Sequence, residues 1–139
     1  MFICIEGCGG SGKSTLATEL TNVFEAKGRK VTRLRFPTDG EIGKLLRSHI
    51  TQQVEVPGKA LAYLFLADMI AAQDALRGAL GDGHVVICDR YFYSTMVYQH
   101  EHYTMGQLSV AVNVANLALP DVGILIDLPS QVIAQRIGL

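Results

Sequence analysis

Short apolar runs alternate with longer segments of helical period along the chain. Phe2–Glu6, Val31–Phe36, His84–Cys88 and Val122–Asp127 predict strands, and the first, third and fourth are almost wholly apolar. That is the pattern of strands covered on both faces. Ser14–Lys27 has helical period and ends at Gly28, a good stop. Glu41–Thr51 lines up Ile42, Leu45, Leu46 and Ile50 on one side, and Lys59–Leu80 runs from Pro57-Gly58 to Gly81-Asp82-Gly83. Thr104–Leu119 begins with a Thr cap and ends at Pro120, and Pro129–Ile137 follows the last strand. Strands alternating with such long crossovers imply parallel pairing, hence an α/β three-layer αβα fold around a four-stranded parallel sheet. Ligands in such sheets bind at the carboxyl ends of the strands. Gly7–Ser14, Phe36–Asp39, Asp89–Tyr91 and Asp127 stand at those ends and are expected to converge on one cleft.

Length and composition narrow the picture. At 139 residues the chain is one domain, and 49% hydrophobic against 18% charged residues excludes disorder. Twelve Lys+Arg against thirteen Asp+Glu give a net charge of −1 with no basic stripe, so no nucleic-acid partner is expected. Three cysteines without regular spacing suggest neither a disulfide framework nor a zinc site. Cys4 and Cys88 lie in apolar runs and read as buried thiols of a reducing compartment. No apolar stretch approaches the ~18 residues of a membrane span, and no leader precedes the first strand. A cytoplasmic protein without a membrane partner is the expectation.

Gly7-Cys8-Gly9-Gly10-Ser11-Gly12-Lys13-Ser14 matches G-x-x-x-x-G-K-[ST] in full, between an apolar strand and a helix. The glycines let successive backbone N–H groups turn inward, and the helix adds its positive dipole end. Gly7 to Ser14, with Thr15 on the first helical turn, are the candidate residues for binding a nucleoside triphosphate. Lys13 reaches the β/γ-phosphates, and the Ser14 hydroxyl is the candidate Mg²⁺ ligand. Cys8 inside this loop reads as a small spacer in preference to a redox thiol.

Asp89-Arg90-Tyr91 closes a buried strand. Asp89 suits the Mg²⁺ shell from its second side, and Arg90 suits bidentate grip of a phosphate. An ion pair sealing the strand end is the alternative structural reading. A cation beyond the triphosphate cradle points to a second anionic substrate, and so to phosphoryl transfer in preference to hydrolysis.

At these residues the sequence resembles the thymidylate kinase family, nucleoside monophosphate kinases of the P-loop class, over nearly the whole chain. Phe2–Gly7 with the P-loop is similar to the family's opening. Arg35-Phe36-Pro37 and Gly40–Leu46 resemble its acceptor-side loop and helix, and Leu64–Asp68 its base-stacking segment. The most specific run is Asp89-Arg90-Tyr91-Phe92-Tyr93-Ser94 with Tyr98-Gln99. Pro120-Asp121, the strand to Asp127, and Arg136-Ile137 resemble the lead-in to a lid.

The resemblance implies transfer from ATP·Mg²⁺ to a deoxynucleoside monophosphate, dTMP above all. Lys13, Asp89 and Arg90 would be catalytic, with Ser14 and Asp89 holding the metal. Phe36, Pro37, Phe65, Met69, Arg90, Ser94, Thr95 and Tyr98 would bind the acceptor. Phe65 would stack on the base and Tyr98 crowd the ribose 2′ position. By spacing alone Phe65 is a core residue on an apolar helix face; the resemblance gives it the other role. A homodimer is implied as well.

The chain also departs from the family. Members usually carry an acid or hydrogen-bonding group at Gly9 and an arginine at Met69. Many carry another arginine near Thr38-Asp39-Gly40, for which Arg35 is the nearest replacement. A thioether donates no hydrogen bond to a base carbonyl. Members continue past Leu139 into an arginine-bearing lid and a fifth strand, and Gly10 stands where some hold a catalytic arginine. Residues 1–139 are therefore expected to form a C-terminally incomplete kinase domain, weakly active by itself. Met69 and Gly9 leave open another pyrimidine nucleotide or a nucleoside as acceptor; a non-catalytic nucleotide-binding module is the third reading.

Overall fold

Beta-branched, sulfur and aromatic side chains at Phe2–Ile5 and Val85–Cys88 favour extended backbone, and having no polar side they can be satisfied only inside a sheet. A computed structural model describes residues 1–138 and places both runs at the centre of one sheet. The elements are β1 (Phe2–Gly7), α1 (Lys13–Ala26), β2 (Val31–Arg35), α2 (Glu41–Ile50), α3 (Gly58–Ala71), α4 (Gln73–Gly81), β3 (Val85–Asp89), α5 (Phe92–Tyr98), α6 (Met105–Val114), β4 (Val122–Ile126) and α7 (Ser130–Ile137). The strand order is β2-β3-β1-β4, all parallel. The α/β parallel-sheet architecture expected from the alternation is the one observed.

Side chains of β1 and β3 alternate between two cores. Ile3, Ile5, Val85 and Ile87 meet Ala17, Leu20 and Phe24 of α1. Phe2, Cys4, Val86 and Cys88 meet Leu66, Met69, Phe92 and Val112 on the opposite face. Both cysteines are buried, and burial pushes their thiols well above the ordinary range, so they are inert packing groups.

The structure corrects the periodicity in four places. Lys59–Leu80 is two helices meeting at Ala72. Gln73 turns its side chain inward there, donating to Met69 O (3.0 Å) and to the Tyr91 hydroxyl (3.0 Å) while accepting from Ala118 N (2.8 Å). The helix expected to reach Leu119 stops at Val114. Asn116 takes the left-handed conformation (φ 49), with Asn116 N–H bonded to Asn113 O and Leu117 N–H to Val112 O, a Schellman closure. The expected Thr104 cap is present as a full capping box with Gln107. Helix α5 has no counterpart in the sequence reading. Finally, β4 is not covered on both faces: among the described residues Ile124 and Ile126 pack on the α1 side, while Leu125 stays 72% exposed. The crossover from β3 explains this, because Phe92 and Val112 pack in the core over β1 and β3 and stop short of β4.

Candidate active site

The carboxyl ends of β1, β2 and β3 bring three segments together. After β1 the chain enters the P-loop, where Gly10 (φ 74) and Gly12 (φ 99) take conformations that side chains avoid. A β-carbon on Gly7 would stand 2.8 Å from both Ile126 O and Ser11 Oγ, so the turn needs glycine. Helix α1 starts at Lys13 with no side-chain cap, leaving its first-turn N–H groups to face the loop. Lys13 is buried and donates to Gly7 O (3.0 Å) and Cys8 O (2.7 Å). Burial lowers its pKa below the ordinary lysine value, and the Arg90 guanidinium adds to the effect. Cys8, Gly9 and Gly10 lie exposed at the loop's outer turn, and Thr15 is exposed on the first turn of α1.

Asp89 and Arg90 are neighbours in sequence with opposite destinations. Asp89 points to the α1 side and accepts from Ser14 Oγ at 2.8 Å. Arg90 points to the α5 side, where its Nη1 donates to Ser94 Oγ at 3.1 Å and its Cζ lies 5.7 Å from the Tyr98 ring centre. Its φ of 67 is unusual for a side chain other than glycine, and the Arg90 N–H is pinned to Ile5 O at 2.9 Å.

Beyond Arg90 opens a cavity of about 620 Å³ whose walls include Phe36, Pro37, Phe65, Met69, Arg90, Ser94, Thr95 and Tyr98. All eight residues assigned to the acceptor from the sequence thus face one space. Phe36 is anchored against Tyr91 (ring centres 5.5 Å apart), itself enclosed by Phe2 and Phe92. Burial raises the Tyr91 hydroxyl to about 12, so it stays protonated and serves packing and its bond from Gln73.

Three residues here were missed by sequence reasoning. Gln99, 4% exposed, lines the same cavity. Arg47 donates to Pro37 O (2.8 Å) and meets Asp39 (3.0 Å), which puts a cation against the 36–39 loop. Glu6 accepts from Tyr91 N (2.8 Å), Ser94 N (3.3 Å) and Ser94 Oγ (2.6 Å), forming the cap of α5. Gln99, within the Tyr98-Gln99 pair, and Glu6, within Phe2–Gly7, fell in runs that carry the family resemblance, though neither was given a role; Arg47 carried no signal. Glu6 and Arg47 act through contacts distant in the chain. Arg136 of α7 also reaches the P-loop, donating to Gly10 O and Ser11 O at 3.3 Å each.

The donor set fits a phosphate and a hard divalent cation. Ser14 Oγ and Asp89 Oδ2 are oxygen ligands already side by side. Among the described residues Ser11 Oγ, buried within the loop, has no hydrogen-bond partner, as expected of a polar atom in a cradle that fits oxyanions.

Comparison with known proteins gives the same direction. The family model described as thymidylate kinase matches residues 5–139. A "probable thymidylate kinase" of Pyrococcus horikoshii is 41% identical, the alignment covering 99% of this chain and 70% of that protein. A "thymidylate kinase" of Solidesulfovibrio magneticus is 39% identical over 92% of this chain and 64% of its own length. A further relative from Methanothermobacter thermautotrophicus is 36% identical over 99% of this chain and 70% of its own. With fold, cradle and adjoining cavity in place, the chain belongs to the thymidylate kinase family of phosphotransferases.

Proposed function

We propose that the chain transfers the γ-phosphoryl group of ATP to dTMP, giving dTDP and ADP. The observation that carries this reading is the Asp89-Arg90 pair, with one side chain turned to the P-loop and the other to the Phe65 cavity. An acceptor phosphate oxygen attacks the γ-phosphorus in line, and the bond to the β–γ bridging oxygen breaks as ADP leaves. Lys13 exchanges its two carbonyl partners for phosphate oxygens. Arg90 holds the acceptor phosphate, and Phe65 and Tyr98 fix its base and sugar. Ser14 and Asp89 would hold a Mg²⁺ ion, which would supply charge neutralisation to the triphosphate when bound. Catalysis is mostly positioning and charge neutralisation, with no covalent intermediate.

Met69 supports a second reading, in which the acceptor carries another pyrimidine. It is 1% exposed in the cavity wall and offers no donor, while Thr95 and Gln99 beside it both donate and accept. ADP release from ATP·Mg²⁺ with dTMP, dUMP, dCMP, dGMP and thymidine, against Lys13→Ala as blank, separates the readings. A dTMP preference that disappears in the blank is the expected result. A different preferred acceptor establishes the second reading, and no turnover above the blank sinks both.

The same reading includes a homodimer. Tyr63 and Ile70 of α3 and Val110 and Val114 of α6 are large apolar side chains left 48–81% exposed. Sedimentation velocity is expected to show a dimer that Tyr63→Asp with Val110→Asp returns to monomer; a monomeric wild-type chain refutes it.

A further inference from the structure

Glu6 sits one residue before the P-loop, yet both its carboxylate oxygens serve the acceptor side. Oε1 takes the backbone N–H groups of Tyr91 (2.8 Å) and Ser94 (3.3 Å), which is the work of a helix cap. Oε2 contributes nothing to the cap and takes the Ser94 hydroxyl proton at 2.6 Å. A hydroxyl has one proton, so once that proton is committed to Oε2 only the oxygen's lone pairs face the other way. They face Arg90 Nη1, 3.1 Å from Ser94 Oγ. The carboxylate thus fixes the polarity of the serine, and the serine fixes the guanidinium.

We propose that Glu6 is a positioning residue for Arg90, acting through Ser94, and that it sets the enzyme's affinity for the acceptor's phosphate as distinct from its nucleoside. The inference rests on the reading of Arg90 as the acceptor-phosphate grip. Capping alone does not account for the geometry, because Oε1 by itself satisfies both backbone groups. A glutamine at this position separates the two roles. Its amide oxygen keeps the backbone bonds, while its NH₂ meets Ser94 Oγ as a donor. The serine proton must then leave for another direction, and the hydroxyl loses the anionic acceptor that held its orientation and strengthened its bond from Arg90 Nη1. The helix stays capped and the relay is lost.

The test is calorimetric binding of dTMP and thymidine to wild type, Glu6→Gln, Ser94→Ala and the double variant, with NMR of the Arg90 guanidinium. In Glu6→Gln the dTMP Kd is expected to rise about ten-fold, the scale of one hydrogen bond to a charged group. Thymidine Kd and KM for ATP should stay within about two-fold on the same basis. Adding Glu6→Gln to Ser94→Ala should cost nothing further, because the path runs through the hydroxyl. Guanidinium rotation should be faster in Glu6→Gln than in wild type. Equal losses for dTMP and thymidine, or additive losses in the double variant, would overturn the proposal and leave Glu6 a cap. Wild type binding dTMP no tighter than thymidine would instead remove the phosphate grip itself. The NMR readout then still decides whether Glu6 holds Arg90, since unchanged rotation refutes it with any acceptor.

Discussion

Lys13→Ala is expected to lower kcat for phosphoryl transfer roughly 10²–10³-fold, the usual cost of removing a preorganised donor from developing transition-state charge. The fold should survive. The carbonyls that Lys13 occupies belong to Gly7 and Cys8, at the rim of a loop whose outer turn is open to solvent, where water can replace the ammonium. The same lysine gives a pH signature. Burial, with Arg90 nearby, holds its pKa below the ordinary 10.5. The sign follows: a lysine that must be charged loses function as pH rises through its pKa. The alkaline limb of kcat/KM for ATP, which reports the free enzyme, therefore lies below 10.5. A limb at or above that value, or a Lys13→Ala protein within ten-fold of wild type, would remove Lys13 from the chemistry.

Gly43→Ala is expected to give the largest loss of any single methyl group added to this chain. A β-carbon there would overlap the Thr38 carbonyl oxygen and stand 2.7 Å from the Thr38 nitrogen and carbonyl carbon. Thr38 cannot retreat. Asp68, 2% exposed, holds its N–H at 2.8 Å and its hydroxyl at 2.5 Å, and Arg47 holds the preceding carbonyl. The helix must move, at a cost of about 2–3 kcal/mol, the upper part of the range for overpacked sites. Because the loop ahead of it carries Phe36 and Pro37, KM for the acceptor should rise while KM for ATP changes little. Gly58→Ala is the control. The atoms nearest its β-carbon belong to the His102 ring, an exposed side chain that can swing aside, so urea unfolding should show a change within about 1 kcal/mol. Equal effects of the two substitutions would show that Thr38 yields.

What was legible in the sequence was whatever local pattern or motif spacing encodes. The P-loop and the Asp89-Arg90-Tyr91 run announced both halves of the site, and continuous apolar runs announced the central strands. What escaped depends on partners far along the chain. Helix α5 has no cap of its own; its capping carboxylate comes from Glu6, on β1. The break at Ala72 reflects a glutamine that finds Tyr91 and Ala118 only after folding. Periodicity saw an unbroken apolar segment there, because alanines on either side fit both faces. Met69 read both as a departure from the family pattern and as an acceptor-side residue, and it stands in the cavity wall.

The pairing of β1 with β3, Cys4 opposite Cys88 and Ile5 opposite Asp89, has a consequence for how such a chain can change in length. Asp89 ends β3 on the face that meets Ser14, and Arg90, just past the strand in a left-handed conformation, turns to the opposite face beside Ser94. One residue inserted or deleted within β3 would exchange an acid and a cation between two substrate sites while leaving the composition almost untouched. A length change is therefore expected to be tolerated in an exposed connection such as 51–55 and to abolish the site within the two central strands.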